Sequence, residues 1–360
     1  MFERWLQALS RPSTWLLLPA VLLVCILLVV SIYCAPIALK LAGKAHAASP
    51  TNTTNTAPPL PPESFPDALQ QGMERLTTKA AEALKPLTYT MAVANPNVPQ
   101  GHTALVTITA SKAPTSPVVL AYAGKAFPVY AVDPEHPHAL YGLVPIAVDK
   151  ALGGSTLTLQ DKASRKALAS VTLTITSGHY SKQNIGVSKA MKGLTAEPGE
   201  YEAIGGFRKT TVPHRHWALP TTLATLTGII IKPVPDCMSS PFGNLRYHNG
   251  KFTGNFHKGV DQRSPNSRPI KAITGGVVKI ARQYRFHGGT IGIDHGQGVH
   301  SIYIHQSKIV VKLGDTVTAG QVIGHVGTTG FSTGPHLHWG LFVHGEPVNP
   351  VQWIALPGCG

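Results

Sequence analysis

Glycine punctuates the C-terminal third of this chain. Between Ile231 and Leu356 it occurs at Gly275-Gly276, Gly288-Gly289, Gly296, Gly298, Gly314, Gly320, Gly324, Gly327, Gly330 and Gly334. Glycine at this density weakens helices and suits turns. The runs between are Val277 to Ile280, Thr290 to Asp294, Ser301 to His305, Val322 to Val326 and Leu337 to Val343. They predict antiparallel sheets joined by tight loops. Composition points the same way, with 35 Gly and 30 Pro beside only 13% charged residues.

The rest of the 360 residues divides by pattern. Residues 1–14 carry Arg4 and Arg11 and read as a cytoplasmic tail. Residues 15–39 hold no charge and, at 25 residues, are long enough for a transmembrane anchor. Ala45-His46-Ala47 is a small-x-small pattern of the cleavable type. It lies beyond Lys40 and Lys44, and the apolar stretch exceeds a usual signal core, so an uncleaved anchor is expected. Cys34 is no lipidation site, because bulky Tyr33 stands where a small residue is needed. Either way the remainder is exported.

Residues 40–66 form a Pro/Thr-rich linker. Residues 67–86 predict a short packing helix, with Leu69, Met73, Leu76, Ala80 and Leu84 on one face and Asp67 as N-cap. Residues 87–178 alternate with period two and predict a small β-sandwich-like module. Residues 179–230 read as a connector, and 231–360 as the C-terminal domain. The fold class expected is therefore mostly β, with an N-terminal transmembrane helix.

Lys and Arg outnumber Asp and Glu by 31 to 17, a net charge of +14. That favours an anionic partner. The basic residues are scattered, with none of the runs of nucleic-acid readers, so wall polymers or phospholipid head groups fit better than nucleic acid. Cys25 and Cys34 lie in the apolar segment, while Cys237 and Cys359 bracket the C-terminal domain. A disulfide between the latter two suits an oxidising compartment; two free thiols are the alternative.

Three segments carry chemistry: His257 to Asp261, Tyr303 to His305, and Gly334 to Trp339. His336 and His338, two apart in a strand, face the same side. An HxH pair alone is weak, since His136/His138 and His214/His216 repeat it in Pro-rich, turn-like surroundings. His257 and Asp261 strengthen it. Two His and one Asp leave a fourth position open, as catalytic zinc requires, and no Cys lies near to close it. Such an ion activates water and polarises a carbonyl. No HExxH helix supplies a Glu base. His305 and the remaining histidine of the HxH pair are the natural proton acceptors.

Together these segments resemble the lysostaphin/LytM-type zinc endopeptidases of cell walls. That family carries HxxxD, YxH and HLH segments in this order, matched here by His257/Asp261, Tyr303/His305 and His336/His338. Ser240-Pro241-Phe242-Gly243 with Arg246, the Gly314 to Gly324 hairpin, and Thr329 to Pro335 also agree. The resemblance covers residues 231–356. It implies an antiparallel β-sheet metallopeptidase domain of duplicated-hybrid-motif type. It implies one zinc held by His257, Asp261 and His338, with His305 and His336 assisting catalysis. The implied substrate is peptidoglycan, at its stem peptides or cross-bridges; a basic, membrane-anchored, single-pass chain further suits a Gram-negative envelope and a D,D-endopeptidase acting on meso-diaminopimelate cross-links, with pentaglycine as the lesser alternative. The implied setting is the inner membrane, spanned once, with the catalytic domain in the periplasm and a regulatory protein partner unknown.

The departure is Leu245 between Asn244 and Arg246, which leaves the role of Arg246 in doubt. Two rivals stand beside the enzyme. One is a non-enzymatic envelope regulator that activates other wall hydrolases, against which the complete ligand set argues. The other is a biotinyl/lipoyl-type carrier, which lacks its lysine at a tight turn. His295 and Asp294 read as turn residues, and His248, His287, His325 and His344 as surface or loop residues. An upstream block over the active domain is a further expectation from the domain order.

Overall fold

Period-two alternation sets the upstream sheets. In the strand Thr103–Ala110, Val106 and Ile108 point into one core and Leu105 into another. That double burial explains why this strand has few exposed positions. It lies in a four-stranded sheet, ordered Tyr89–Val93, Thr103–Ala110, Ala139–Pro145, Tyr130–Ala131. A five-stranded sheet runs Asn97–Pro99, Ala167–Thr176, Gly153–Asp161, Val118–Tyr122, Lys125–Pro128. Both sheets contribute to one apolar core, with Val106, Ile108, Leu140 and Val144 from the first and Leu120, Leu157, Leu159 and Leu173 from the second.

This is a computed structural model, and it describes residues 71–354 except 73, 80, 82, 83, 211, 221 and 222. The tail, anchor and linker expected at 1–66 lie outside the described residues. Among those described, no helix is long and apolar enough to cross a membrane. Contacts divide the chain after Leu84. The described residues of 71–84 are helical, but Leu76 and Leu84 are 63% and 78% exposed. The apolar face expected there is not a buried one at these two positions.

The mostly β expectation holds for the rest. The C-terminal domain is built on an antiparallel sheet ordered Met238–Ser240, Val260–Arg263, His336–Val343, Val299–Gln306, Gly289–Gly296, Gly276–Gln283, Thr316–Val317. Its core face carries Val260, Ile291, Ile293, Tyr303, Leu337, Trp339 and Leu341. The same core takes in Leu105, Tyr141 and Leu143 from upstream, through Trp217 and Trp353. Trp217 meets Tyr141 and Trp353 edge-on, with ring centroids 6.2 and 6.1 Å apart. Gln352 and Thr103 exchange two hydrogen bonds of 2.7 Å.

The connector is more than a spacer. Its strand Lys182–Ile185 adds in parallel to Leu245–His248, which pairs with Lys251–Phe256. Its helix Glu200–Phe207 lays Ile204 and Phe207 on Ile302, Ile304 and Phe342 of the main sheet. Cys237 is disulfide-bonded; Cys25, Cys34 and Cys359 lie outside the described residues.

Asp294 and His295 are not turn residues. Both are fully buried in the strand Gly289–Gly296. The glycines flanking them suggested a turn, but a glycine inside a strand also permits close backbone approach. His295 Nδ1 donates to the Gly275 carbonyl at 2.6 Å, and Nε2 lies 2.8 Å from the Ser301 hydroxyl. Burial pushes its pKa down to about 3. The unfolded chain therefore binds a proton here that the folded chain refuses, between roughly pH 6.5 and 3. Stability is expected to fall with pH through that window, by on the order of 1.4 kcal/mol per pH unit from this group. Urea titrations at pH 7 and pH 4.5 on the parent and His295→Gln check it. An equal pH slope in both proteins would place the acid sensitivity elsewhere.

Candidate active site

Register brings the predicted ligands together. Asp261 pairs with His338 across adjacent antiparallel strands, and Arg263 pairs with His336. Ile304 pairs with His338 on the other side. Directly opposite residues share a face, so Asp261, His336, His338, Ile302 and Ile304 look out of the sheet together. His257 enters from the end of the neighbouring hairpin, four residues before Asp261.

The donor atoms converge. Asp261 Oδ1 lies 2.8 Å from His338 Nδ1 and 3.0 Å from His257 Nε2. The two imidazole nitrogens are 2.9 Å apart. Among the described residues, His257, Asp261 and His338 form a group able to hold a metal ion, with ligand atoms all within 4.8 Å. Burial pushes the His338 pKa down to about 4, against the pull of Asp261. Burial also raises that of Asp261, but His257 and His338 outweigh it and hold the carboxyl well below the usual carboxylate range. A neutral His338 beside an ionised Asp261 is the protonation pattern that a metal needs.

Backbone carbonyls fix each ring. His257 Nδ1 donates to Pro241 O at 2.8 Å, leaving Nε2 free to ligate. His305 Nδ1 donates to Thr329 O, and His336 Nδ1 to Gly334 O, both at 2.8 Å. Their Nε2 atoms are left as acceptors. The His305 and His336 rings sit 5.0 Å apart, and His336 Nε2 is 3.9 Å from Asp261 Oδ1. Burial, then the neighbouring His336 and His338, push the His305 pKa down to about 3.

His305 reaches this face by breaking the alternation. Tyr303 is buried in the core opposite Trp339, and period two would send His305 the same way. Instead His305 adopts φ 63°, and the register with Gly289–Gly296 shifts between Gly289 and Ile291. A bulge with a left-handed residue re-aims the side chain. Non-glycine residues at such angles are strained and concentrate at functional sites.

Gly259 is required by close approach. A Cβ there would stand 2.3 Å from Trp339 O and 2.8 Å from His338 Nε2. Gly259→Ala is expected to displace the His338 ring and weaken metal binding about 10- to 100-fold. A zinc competition titration reads this; an unchanged affinity would show that the backbone relaxes around the methyl.

Further residues complete the cleft, whose volume is about 1020 Å³. Arg246 Nη2 lies 3.2 Å from Asp261 Oδ2, which settles its position despite the inserted Leu245. Gln183 of the connector accepts from Arg246 Nη1 and, at 2.7 Å, from the Ser240 hydroxyl. His287 is a half-buried wall residue rather than a surface one. Its Nδ1 donates to Glu200 Oε1 at 2.6 Å. Glu200 is fully buried and also accepts from the backbone N–H groups of Glu197, Phe286 and His287. The His287 carbonyl in turn accepts from His305 N at 3.0 Å. His344 is likewise half-buried, whereas His136 and His138 are exposed and outside the cleft.

Residues 255–350 match peptidase family M23. The chain carries an M23 peptidase domain. Over 120 residues it is 42% identical to the DD-carboxypeptidase/endopeptidase Mpg of Neisseria meningitidis, covering 33% of this chain and 27% of that protein. It is 45% identical to lysostaphin of Staphylococcus simulans, covering 30% and 23%. It thus spans about a quarter of the length of these curated relatives. A crystal structure from Pseudomonas aeruginosa assigned to peptidase M23 aligns over 72% of this chain and 95% of its own, at 28% identity and TM-score 0.50. That alignment reaches beyond the M23 match and so includes residues upstream of it. Sequence reasoning missed Glu200, Gln183 and His287, which lie in or touch segments without a periodic signal.

Proposed function

We propose that the M23 domain is a zinc-dependent endopeptidase that hydrolyses peptide cross-links of bacterial peptidoglycan. The observation that carries this reading is the cleft's donor set: two imidazoles and a carboxylate converging on one point, beside two further imidazoles with free Nε2 atoms. Two nitrogens and one oxygen in this arrangement fit zinc with room for a fourth ligand. His257, Asp261 and His338 would hold it, and bound zinc supplies Lewis-acid activation of water and of the scissile carbonyl.

The chain's own groups account for the proton. His305 and His336 present Nε2 as acceptors, because each Nδ1–H is committed to a carbonyl. Either imidazole can take a proton from the attacking water and return it to the leaving amine. Arg246 holds Asp261 in place. The names of the relatives support a D,D-endopeptidase, and the disulfide at Cys237 supports an oxidising compartment. We place the domain on the periplasmic side of the inner membrane, tethered by residues 15–39.

The test is digestion of purified cross-linked peptidoglycan by the full chain with zinc, followed by mass analysis of the muropeptides. Dimers should disappear, chelation should stop the loss, and added zinc should restore it. Dimers that persist with zinc bound would overturn the reading.

A further inference from the structure

Two cations in the cleft wall have no acidic partner. Arg208, at the end of the helix Glu200–Phe207, is half-buried and lines the cleft. Its guanidinium lies 4.8 Å from the Phe342 ring centroid, and its Nε donates to Ile204 O at 3.1 Å. Lys258, next to His257, is exposed and lines the same cleft. Among the described residues no carboxylate lies within ion-pair distance of either. Glu346, the acid that acts on both from further away, is paired at 3.1 Å with Lys125. A half-buried guanidinium with no acidic partner is costly unless an anion joins it, and Lys258 adds a second positive charge to the same wall.

Their placement follows the sheet. His336, His338, Gly340 and Phe342 share the cleft face. Phe342 is four residues beyond His338, about 13 Å along a strand. The Lys258 backbone lies beside Gly340 between them. An extended peptide cut near His338 would therefore present a group three or four residues away to Arg208.

We propose that Arg208 and Lys258 form an anion subsite that holds a carboxylate of the peptide substrate, roughly 13 Å from the scissile bond. This rests on the peptidase reading of the site. Arg208 supplies a planar donor fork stacked on Phe342, and Lys258 a mobile point charge. The subsite selects peptides with a free carboxylate over amidated ones.

The experiment uses a disaccharide-tetrapeptide monomer from peptidoglycan and its chemically amidated form. Binding of each to the full chain is measured by calorimetry, with zinc and after chelation, beside cleavage of the matching cross-linked dimers. The parent should bind the free-carboxylate monomer about 10- to 100-fold more tightly, as expected for a charge-assisted contact. Arg208→Gln with Lys258→Gln should reduce that preference to about twofold or less. Lys209→Gln, the same charge change on a neighbouring exposed residue, should leave it intact. A parent that binds both monomers alike, or a Lys209→Gln loss equal to that of the double variant, would overturn the subsite. Discrimination in binding without cleavage would uphold the subsite and sink the peptidase reading instead.

Discussion

Replacing His338 with alanine in the full chain is expected to lower peptidoglycan hydrolysis roughly 10³-fold or more and to remove bound zinc. His338 Nδ1 sits between Asp261 Oδ1 and His257 Nε2, so its loss leaves two ligand atoms where three are needed. His305→Ala should behave differently. It touches no ligand atom through a hydrogen bond, so zinc content should stay near one per chain while turnover falls about 10²- to 10⁴-fold. Elemental analysis beside muropeptide release separates the two. If His305→Ala also emptied the site, the division between ligands and proton acceptors would be wrong.

Glu200→Ala is expected to cost about 3–5 kcal/mol of stability, because it strips a buried carboxylate from several donors at once. The His287 imidazole and the backbone N–H groups of Phe286 and His287 would lose their acceptor. The damage should reach catalysis, since the His287 carbonyl holds the backbone of His305 in its left-handed conformation. Glu200→Gln keeps an acceptor of the same shape and should recover part of the loss. Urea denaturation with activity at matched folded fraction would check both effects. An alanine variant as stable as the parent would show that water replaces the carboxylate.

The same contacts bear on truncation. Residues 231–360 alone would lack Glu200, Gln183 and the strand Lys182–Ile185 that pairs beside Arg246. They would also lose Trp217, which packs edge-on against Trp353 in the shared core. Loss of activity in such a fragment would therefore reflect a missing wall. None of the residues lining the cleft comes from 87–178; upstream of 231 the lining comes from the connector, through Gln183, Tyr201, Ile204 and Arg208.

The legible part of this protein was local. The glycine spacing marks the strands, and the ordered motifs point to His257, Asp261, His305, His336 and His338. HxH works as a signal because period two is a property of any strand. What stayed hidden depends on contacts distant in sequence. Glu200 meets His287 across 87 positions, with nothing in either neighbourhood to announce it. His295 read as a turn residue because flanking glycine marks both turns and close-packed strands. Leu105 looked like a sandwich residue, yet it belongs to the core of the next domain. The bulge that re-aims His305 has no residue signature, since histidine carries no preference for it as strong as glycine's.

Finally, the pairing of Asp261 with His338, and of Ile304 with His338, sets rules for changes of chain length. The ligands sit on neighbouring strands, so deleting or inserting one residue within either would send half of them to the wrong face. Between the strands the chain can lengthen or shorten while leaving the pairing alone. Homologous chains that diverge by insertion should thus vary in the stretches around 248–251 and 310–315 and keep the segments 257–263 and 336–343 at constant length. Of those first two stretches only the one at His248 borders the cleft, so length changes there can reach the substrate while those at 310–315 leave it untouched.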